Sequence, residues 1–332
     1  MKRRNFFLLF LLAVSVFIWI QKPAFLWKYF TKPFVLDETP LYAALAIPLE
    51  ERDQAIIPIP LKISNVAFGT TFALPNAHAA FVMDATSGEA LFAQNENQRR
   101  QIASLTKIMT ALMLMESGKS LDDIVIVDSE SINRAGTTIG CGGSGSCNHN
   151  TLIPGEKVYL RDLLKSMLMN SANDAAVLIA KHVSGTEQDF VARMNQRAKE
   201  FGLENTQFCT PNGLEPDGKE ENCYSSASDV SKMVQLTLKY PVIWEILQME
   251  SQTFTSVDGA REHHIFNTNQ LLGQYGRMLG AKTGFTPLAG YSLLSVGKEN
   301  DHTVIAVLLN DPVRWDDIRT VFDWAFTSFR WL

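Results

Sequence analysis

Lys282-Thr283-Gly284 occurs once in the chain, inside the apolar stretch from Met278 to Phe285, which reads as a β-strand. Two short motifs precede it, Ser104-Leu105-Thr106-Lys107 and Ser171-Ala172-Asn173. In this order the three motifs supply a serine nucleophile, a lysine base and a second lysine. The set predicts acyl transfer by a serine enzyme that has lysine where a protease triad has histidine.

The residues around Ser104 predict that the serine begins a helix. Ile108, Leu112 and Met115 recur at helical spacing, and Gly118 ends the pattern. Ser104 and Lys107 are therefore three positions apart on a first helical turn, where their side chains share one face.

The order of predicted elements indicates the fold class. Strands are expected at residues 80–84 and 90–93, forming a hairpin, and again at 278–285, 290–296 and 304–309. Helices are expected between these two groups, at residues 158–168, 175–183, 190–201 and 229–240, and at the end of the chain, at 316–326. Strands, helices, strands and a last helix predict an α+β fold, an antiparallel sheet with packed helices plus an all-helical insert.

The predicted chemistry assigns a task to each polar residue of the first two motifs. A serine hydroxyl needs a base within hydrogen-bond reach, and Lys107 is the candidate. Burial and a second cation, Lys282, would lower the lysine pKa enough for this task. Ser171 would pass the proton to the leaving amine, and Asn173 would hold Lys107 and the substrate amide.

The strand motif supplies the predicted substrate contacts. Thr283 would offer its hydroxyl to a substrate carboxylate, and Gly284 would let the substrate backbone approach the strand. We assign the oxyanion to the backbone amides of Ser104 and Phe285. A second Ser-x-x-Lys match, Ser295 to Lys298, lies at the end of a predicted strand, and we interpret it as accidental.

Bulk composition excludes some partners. The 332 residues carry a net charge of −5, and no block of Lys and Arg is long enough to indicate nucleic-acid binding. His149 and His182 could contribute to a zinc site, but the chain has no Cys-x-x-Cys spacing, so we predict neither a metal nor another cofactor. His263 and His264 are interpreted as surface or turn residues.

Four cysteines favour an oxidising compartment. Cys141 and Cys147 flank a Gly/Ser loop, and Cys209 and Cys223 flank a second loop. Four cysteines allow three pairings, and two local disulfides are the ones we expect.

The N-terminus predicts export. A basic start is followed by an apolar run from Phe6 to Ile20, which is typical of an anchor or a signal peptide. Residues 1–22 are interpreted as an uncleaved membrane anchor, residues 23–75 as a linker and residues 76–332 as the catalytic domain. The alternative is a secreted protein whose signal peptide has been cleaved.

Beyond the three motifs, the chain resembles the serine D-alanyl-D-alanine carboxypeptidases, the low-molecular-mass penicillin-binding proteins. The matching segments include residues 84–89, 104–110, 171–176, 212–214, 226–229, 282–286 and 289–291. The resemblance implies a transpeptidase-like fold, as in β-lactamases, a peptidoglycan stem peptide ending in D-Ala-D-Ala as substrate, and β-lactams as covalent inhibitors. It also implies that Arg314 contacts the terminal carboxylate.

One departure from the family pattern leaves other activities open. The family often has His before Gly-Leu, where this chain has Asn212, so a slowly deacylating penicillin-binding sensor is one alternative. A D,D-endopeptidase would use the same residues. A class A β-lactamase would need a glutamate for deacylation, for which Glu215 and Glu220 are the candidates, and it would have Asp in place of Ala172.

Overall fold

The segments in which apolar residues alternate or run together form short antiparallel strands. The computed structural model describes residues 63–65, 72–142, 147, 150–216 and 222–331. The strands in these residues are β1 (Ile63–Asn65), β2 (Ala79–Asp84), β3 (Ala90–Gln94), β4 (Ile124–Ile126), β5 (Lys157–Tyr159), β6 (Ser251–Thr255), β7 (Glu262–Phe266), β8 (Met278–Thr286), β9 (Gly290–Glu299), β10 (His302–Leu309) and β11 (Phe329–Trp331).

The helices fill the middle and the end of the described chain. They are α1 (Lys107–Glu116), α2 (Ser129–Ile132), α3 (Leu160–Met169), α4 (Asn173–Ser184), α5 (Glu187–Glu200), α6 (Ala227–Thr237), α7 (Pro241–Leu247) and α8 (Arg314–Ser328). A short 3-10 helix, Ala103–Thr106, directly precedes α1.

Five of the strands form one antiparallel sheet in the order β3-β2-β10-β9-β8. The predicted hairpin is its β2–β3 edge, and β8, which carries Lys282, is the opposite edge. Lys282 pairs with Leu294 of β9 in the ladder. The predicted α+β class, an antiparallel sheet with packed helices, is confirmed.

The sheet is buried on both faces, and β10 shows how alternation achieves this. Ala306 and Leu308 join a core with α8, whereas Ile305 and Val307 join the larger core formed with the central helices. Successive side chains of a strand point to opposite faces, so one fully apolar strand contributes to both cores. On the helical side, β8 packs against the 3-10 helix and α7.

Element boundaries differ from the sequence prediction in two places for physical reasons. The helix expected from residue 158 begins at Leu160, because Val158 pairs with Val125 in the small β4–β5 sheet. Pro241, expected only to stop a helix, also begins α7. A proline at the first helical position loses no hydrogen bond, since that N–H has no partner within the helix.

The β6–β7 hairpin was not predicted, and it corrects one interpretation. His263, expected at the surface or in a turn, lies on β7 and is fully buried. Its ring nitrogens are 2.6 Å from the Asn150 carbonyl oxygen and from Glu156 Oε1. His263 thus joins the hairpin to the segment that follows the first disulfide.

The N-terminal predictions fall largely outside the described residues. The expected anchor, residues 1–22, lies entirely outside them, and of the expected linker only β1 and residues 72–75 are described. β1 pairs antiparallel with β11. Among the helices of the described chain, none combines the length and apolarity that crossing a bilayer requires.

Candidate active site

A change of helix type brings Ser104 and Lys107 together. Ser104 lies in the 3-10 helix, and α1 begins at Lys107. Ser104 Oγ is 2.8 Å from Lys107 Nζ. Ala103, the residue before the serine, has a φ of 48°, a left-handed conformation that costs a non-glycine residue about 1–3 kcal/mol. The chain therefore holds a strained backbone directly before the predicted nucleophile.

Three oxygen atoms surround Lys107 Nζ, a geometry that fits both the charged and the neutral amine. Besides Ser104, its Nζ is 2.7 Å from Asn173 Oδ1 and 2.7 Å from the Asn212 carbonyl oxygen. Asn173 Nδ2 donates to the Ala135 carbonyl, so the Asn173 oxygen must be the atom that faces Lys107. An ammonium would donate to all three oxygens, whereas a neutral amine would donate to the two carbonyl oxygens and accept from the Ser104 hydroxyl.

Burial and charge favour that neutral form. Lys107 is fully buried. Desolvation lowers the pKa of Lys107 well below its usual 10.5, and the nearby charge of Lys282 lowers it further. Asp174 acts in the opposite direction and raises this pKa. The two lysines expected to meet are thus close enough to interact electrostatically.

Ser171 and Lys282 form the second hydroxyl–amine pair. Ser171 lies between α3 and α4 with a φ of 61°, a second left-handed non-glycine residue at the site. Lys282 Nζ donates to Ser171 Oγ at 2.8 Å and to the Thr283 carbonyl at 3.0 Å. Lys282 is also fully buried, and desolvation lowers its pKa to about 7.

The two pairs border one cleft of about 650 Å³. Its walls come from the predicted site residues and from neighbours that the motifs did not mark. The lining residues are Ser104, Gly136, Thr137, Ser171, Asn173, Leu214, Thr268, Thr283, Gly284, Phe285, Thr286, Pro287 and Arg314.

Close packing in the protein requires a glycine at position 284. A Cβ at this position would lie 2.9 Å from the Ile102 carbonyl oxygen and 3.2 Å from Leu105 Cγ. Only glycine therefore lets β8 approach the 3-10 helix that carries Ser104. Gly284 also borders the cleft, and its predicted role in letting the substrate backbone approach the strand stays a prediction.

The predicted carboxylate contacts also lie at the cleft. Thr283 Oγ1 is 2.8 Å from Thr268 Oγ1, a residue that carried no sequence signal. Arg314 begins α8 and is half-buried, with its guanidinium 4.6 Å from the centre of the Tyr291 ring. Burial lowers the pKa of Arg314, and its Nε has no hydrogen-bond partner in the described structure.

Phe285 lines the cleft and has an exposed aromatic ring. Its side chain is exposed and stacks on Tyr291, with ring centroids 4.6 Å apart. The next residue, Thr286, donates from Oγ1 to Glu215 Oε1 at 2.8 Å. Glu215 therefore joins the loop that follows Gly213 to the end of β8.

The segment between Cys209 and Cys223 reaches the site through its backbone. The structure pairs these two cysteines, as the sequence suggests. Gly213 has a φ of 83°, and a Cβ there would lie 2.0 Å from the Ala103 carbonyl oxygen. This close turn places the Asn212 carbonyl on Lys107, a contact that the residue type at position 212 does not reveal.

The second disulfide follows the segment that contributes Gly136 and Thr137 to the cleft wall. Cys141 is bonded to Cys147, the other local pair that the sequence suggests. Just before Cys141, the Thr137 carbonyl accepts from the Asn173 backbone N–H at 2.8 Å, and Ile139 N–H donates to Asp174. Asp174, which was part of the family resemblance without any assigned role, is thus a buried site neighbour.

The chain is similar in sequence to known proteins over most of its length. Residues 70–313 match the family model described as D-alanyl-D-alanine carboxypeptidase. The D-alanyl-D-alanine carboxypeptidase DacF of Bacillus subtilis is 35% identical over 261 residues, which are 76% of this chain and 63% of that protein. DacC of Escherichia coli is 29% identical over 258 residues, which are 76% of this chain and 62% of that protein.

Solved structures similar to this chain include a D-alanyl-D-alanine carboxypeptidase and a penicillin-binding protein. The D-alanyl-D-alanine carboxypeptidase of Mycobacterium tuberculosis is similar with a TM-score of 0.69 and 27% identity, covering 80% of this chain and 96% of that one. Penicillin-binding protein D2 of Listeria monocytogenes, in its cefotaxime-bound form, has a TM-score of 0.65 and 30% identity, with coverage of 78% and 100%.

The fold and the Ser-Lys pairs define a protein of the penicillin-binding class. The chain belongs to the D-alanyl-D-alanine carboxypeptidase family. It spans slightly less than two thirds of the length of the Bacillus and Escherichia relatives.

Proposed function

We propose that the protein is a serine D,D-carboxypeptidase that removes the terminal D-Ala from peptidoglycan stem peptides through an acyl-enzyme. The observation that carries this proposal is the environment of Lys107, whose Nζ lies 2.8 Å from the Ser104 hydroxyl and meets two fixed acceptors. Family membership supports the substrate class.

Acylation begins with proton transfer from the Ser104 hydroxyl to the neutral amine of Lys107. The serine oxygen attacks the carbonyl carbon between the two D-Ala residues, and the C=O electrons move to the oxygen. When the tetrahedral intermediate collapses, the C–N bond breaks and the leaving amine takes a proton. Ser171, held by Lys282, is the group that we assign to pass this proton on.

In this proposal, separate groups bind the oxyanion, the terminal carboxylate and the amide of the substrate. The backbone amides of Ser104 and Phe285 donate to the oxyanion. Lys282, Thr283 and Arg314 bind the terminal carboxylate, and Asn173 holds the substrate amide. A charged Lys282, which is fully buried, binds the carboxylate more strongly than it would in water.

Deacylation requires water to attack the ester at Ser104. Lys107 is again the candidate base, because the acyl-enzyme leaves its two acceptor contacts in place. Asn212 Oδ1 accepts from the Leu214 N–H at 3.0 Å, so that side chain is used within its own turn. If the histidine common in the family speeds this step, turnover here is slower.

The proposed location is outside the cytoplasm, with the catalytic domain attached to the membrane by residues 1–22. The basic and apolar N-terminal sequence supports this proposal, and the two disulfides fit an oxidising compartment. Separating detergent-washed membranes from the soluble fraction tests it, with the truncated chain 23–332 as the control. Recovery of both proteins in the soluble fraction would contradict the anchor.

The decisive test of the nucleophile is mass spectrometry after exposure to a β-lactam. We expect a covalent adduct on the peptide that contains Ser104, and no adduct in Ser104→Ala. Labelling at Ser295, the second Ser-x-x-Lys match, would overturn the site assignment.

Two assays then separate the alternative activities. Release of D-Ala from a pentapeptide, compared with cleavage of a cross-linked dimer, distinguishes a carboxypeptidase from an endopeptidase. The lifetime of a labelled penicillin adduct distinguishes the other two alternatives. An adduct lost within seconds indicates a β-lactamase, and one that persists while no D-Ala is released indicates a sensor.

A further inference from the structure

Asp174 is a buried carboxylate at the site to which acyl transfer assigns no task. It follows Asn173 in the first turn of α4 and is 2% exposed. Both of its oxygens accept from the Ile139 backbone N–H at 3.1 Å, and Oδ1 also accepts from the Ala175 N–H at 2.8 Å. The donors of these bonds are backbone amides, so the carboxylate fixes main chain.

The main chain that it fixes is one wall of the cleft. The segment before Ile139 holds Asn173 at two points. The Thr137 carbonyl accepts from the Asn173 N–H at 2.8 Å, and the Ala135 carbonyl accepts from Asn173 Nδ2 at 2.7 Å. Asp174 and Asn173 therefore both form hydrogen bonds with the loop of residues 135–139, and that loop orients the Asn173 amide.

The orientation of this amide matters for Lys107. Asn173 Oδ1 accepts from Lys107 Nζ only while Asn173 Nδ2 remains on the Ala135 carbonyl. A loop released from Asp174 would let the amide turn and present its N–H groups to the lysine. Asp174 thus acts on the base through the loop and through Asn173.

Charge gives Asp174 a second route to the same amine. Lys107 on α1 is a charged side chain that acts on Asp174, and the backbone amides of Ile139, Ala175 and Asp174 itself also stabilise the carboxylate. The carboxylate raises the pKa of Lys107, against the lowering by Lys282. Burial in turn raises the pKa of Asp174 to about 6, with its backbone hydrogen bonds and Lys107 opposing the rise.

We propose that Asp174 is a positioning residue for Lys107, which anchors the loop that orients Asn173 and sets the charge balance around the amine. This inference rests on the proposed function, because it takes Lys107 as the base that activates Ser104. The rate of acylation is therefore the quantity that it predicts.

The test compares the full chain with Asp174→Asn by stopped-flow acylation with a fluorescent penicillin between about pH 4 and 9. Asparagine keeps an oxygen for the Ile139 and Ala175 amides but carries no charge. We expect the acidic limb of the rate profile to move to lower pH by about one unit, because loss of the anion lowers the pKa of Lys107.

Asp229→Asn is the matched control. Asp229 is also an aspartate in the first turn of a helix, is 2% exposed, and accepts from the Asn205 backbone N–H at 2.8 Å. Its loss is expected to lower the melting temperature without moving the acidic limb. If Asp174→Asn and the unsubstituted protein have the same acidic limb and the same acylation rate, the proposed role of Asp174 is overturned.

A reciprocal measurement covers the case in which Asp174→Asn does not fold. The carboxyl 13C resonance of Asp174 is titrated in the unsubstituted protein and in Lys107→Met. Removing the lysine should raise the Asp174 pKa, and equal pKa values would overturn the coupling. Failure of Ser104 to acylate in the unsubstituted protein would instead contradict the proposed function, so the two failures are distinguishable.

Discussion

The two walls of the cleft bury the same residue type to the same extent and give it different properties. The helical wall presents Lys107, which meets a hydroxyl and two fixed acceptors, and whose pKa is lowered by burial and by a second cation. The sheet wall presents Lys282, whose pKa is lowered to about 7 by burial alone. Neighbours, rather than burial, separate a neutral base from an amine that can carry charge near neutral pH.

The largest effect is expected on the helical wall. Lys107→Met removes the base and should lower the second-order rate of penicillin acylation by about 10³-fold. Lys107→Arg should be equally slow, because a guanidinium keeps its proton. Stopped-flow measurement against the unsubstituted protein checks this, and an arginine variant within about tenfold of normal would show that no base acts at this position.

A smaller loss is expected on the sheet wall. Lys282→Met should slow acylation by about 10²-fold, since it removes a cation that binds the substrate carboxylate. It should also move the acidic limb of the pH profile to higher pH, because the cation lowers the pKa of Lys107. Lys282→Arg retains the charge and is the control. If Lys282→Met leaves the limb unmoved, the two walls do not communicate electrostatically.

The contact between the walls is tested at Gly284. Gly284→Ala places a methyl group 2.9 Å from the Ile102 carbonyl, so β8 must move away from the nucleophile. We expect a stability loss of about 1–3 kcal/mol and roughly tenfold slower acylation from the displaced site. Gly276→Ala is the control, because no atom lies within 4 Å of its added Cβ. Equal melting temperatures and rates for the two variants would contradict the close approach.

The pH dependence of stability sharpens the comparison further. The folded-state pKa of Lys282, about 7, lies below the ordinary value of 10.5 that applies in the unfolded chain. Between these values the unfolded chain binds a proton that the folded protein does not. The contribution of Lys282 to the free energy of unfolding therefore rises with pH by about 1.4 kcal/mol per unit.

Chemical denaturation between pH 7 and about pH 10 measures this slope. The difference in free energy of unfolding between the unsubstituted protein and Lys282→Met isolates the contribution of the lysine. The slope should be smaller in the variant by about 1.4 kcal/mol per pH unit, and the contribution of Lys107, whose pKa is also lowered by burial, should remain. An equal slope in both proteins would mean that Lys282 keeps its proton throughout this range.

The smallest effect is expected at the second Ser-x-x-Lys match. Ser295 is buried on β9 and donates to the Gly280 carbonyl at 3.1 Å, while Lys298 is exposed. Residues three apart on a strand point to opposite faces, so this pair cannot meet. Ser295→Ala should cost about 1 kcal/mol of stability and leave acylation unchanged. Acylation as slow as in Ser104→Ala would exchange the assignments of the two serines.

These two matches show what the sequence could predict. The same spacing of three residues brings the two side chains together on a helical turn and separates them on a strand. The predicted secondary structure therefore selected Ser104 correctly as the serine near a lysine. The β-sheet edge was equally predictable, because β8, β9 and β10 are long apolar runs. Sequence spacing thus located the residues that meet through their side chains.

The remainder of the site depends on backbone atoms and close contacts, which carry little sequence signal. The Asn212 carbonyl binds Lys107, yet any residue supplies a carbonyl. Gly284 was recognised from its motif, but its packing role was not, because the atoms that exclude a side chain come from Ile102, far away along the chain. His263 was misplaced because Glu156, its buried partner, lies over a hundred residues earlier.

The carbonyl that binds Lys107 has a consequence for tolerance to mutation. Every amino acid carries this oxygen, so position 212 can exchange its side chain while the lysine keeps an acceptor, provided that Gly213 preserves the turn. Under the proposed function, a substitution at position 212 would change deacylation while the carbonyl contact that supports acylation stays in place. Replacing Asn212 by the full set of residues would separate adduct lifetime from adduct formation within one scaffold.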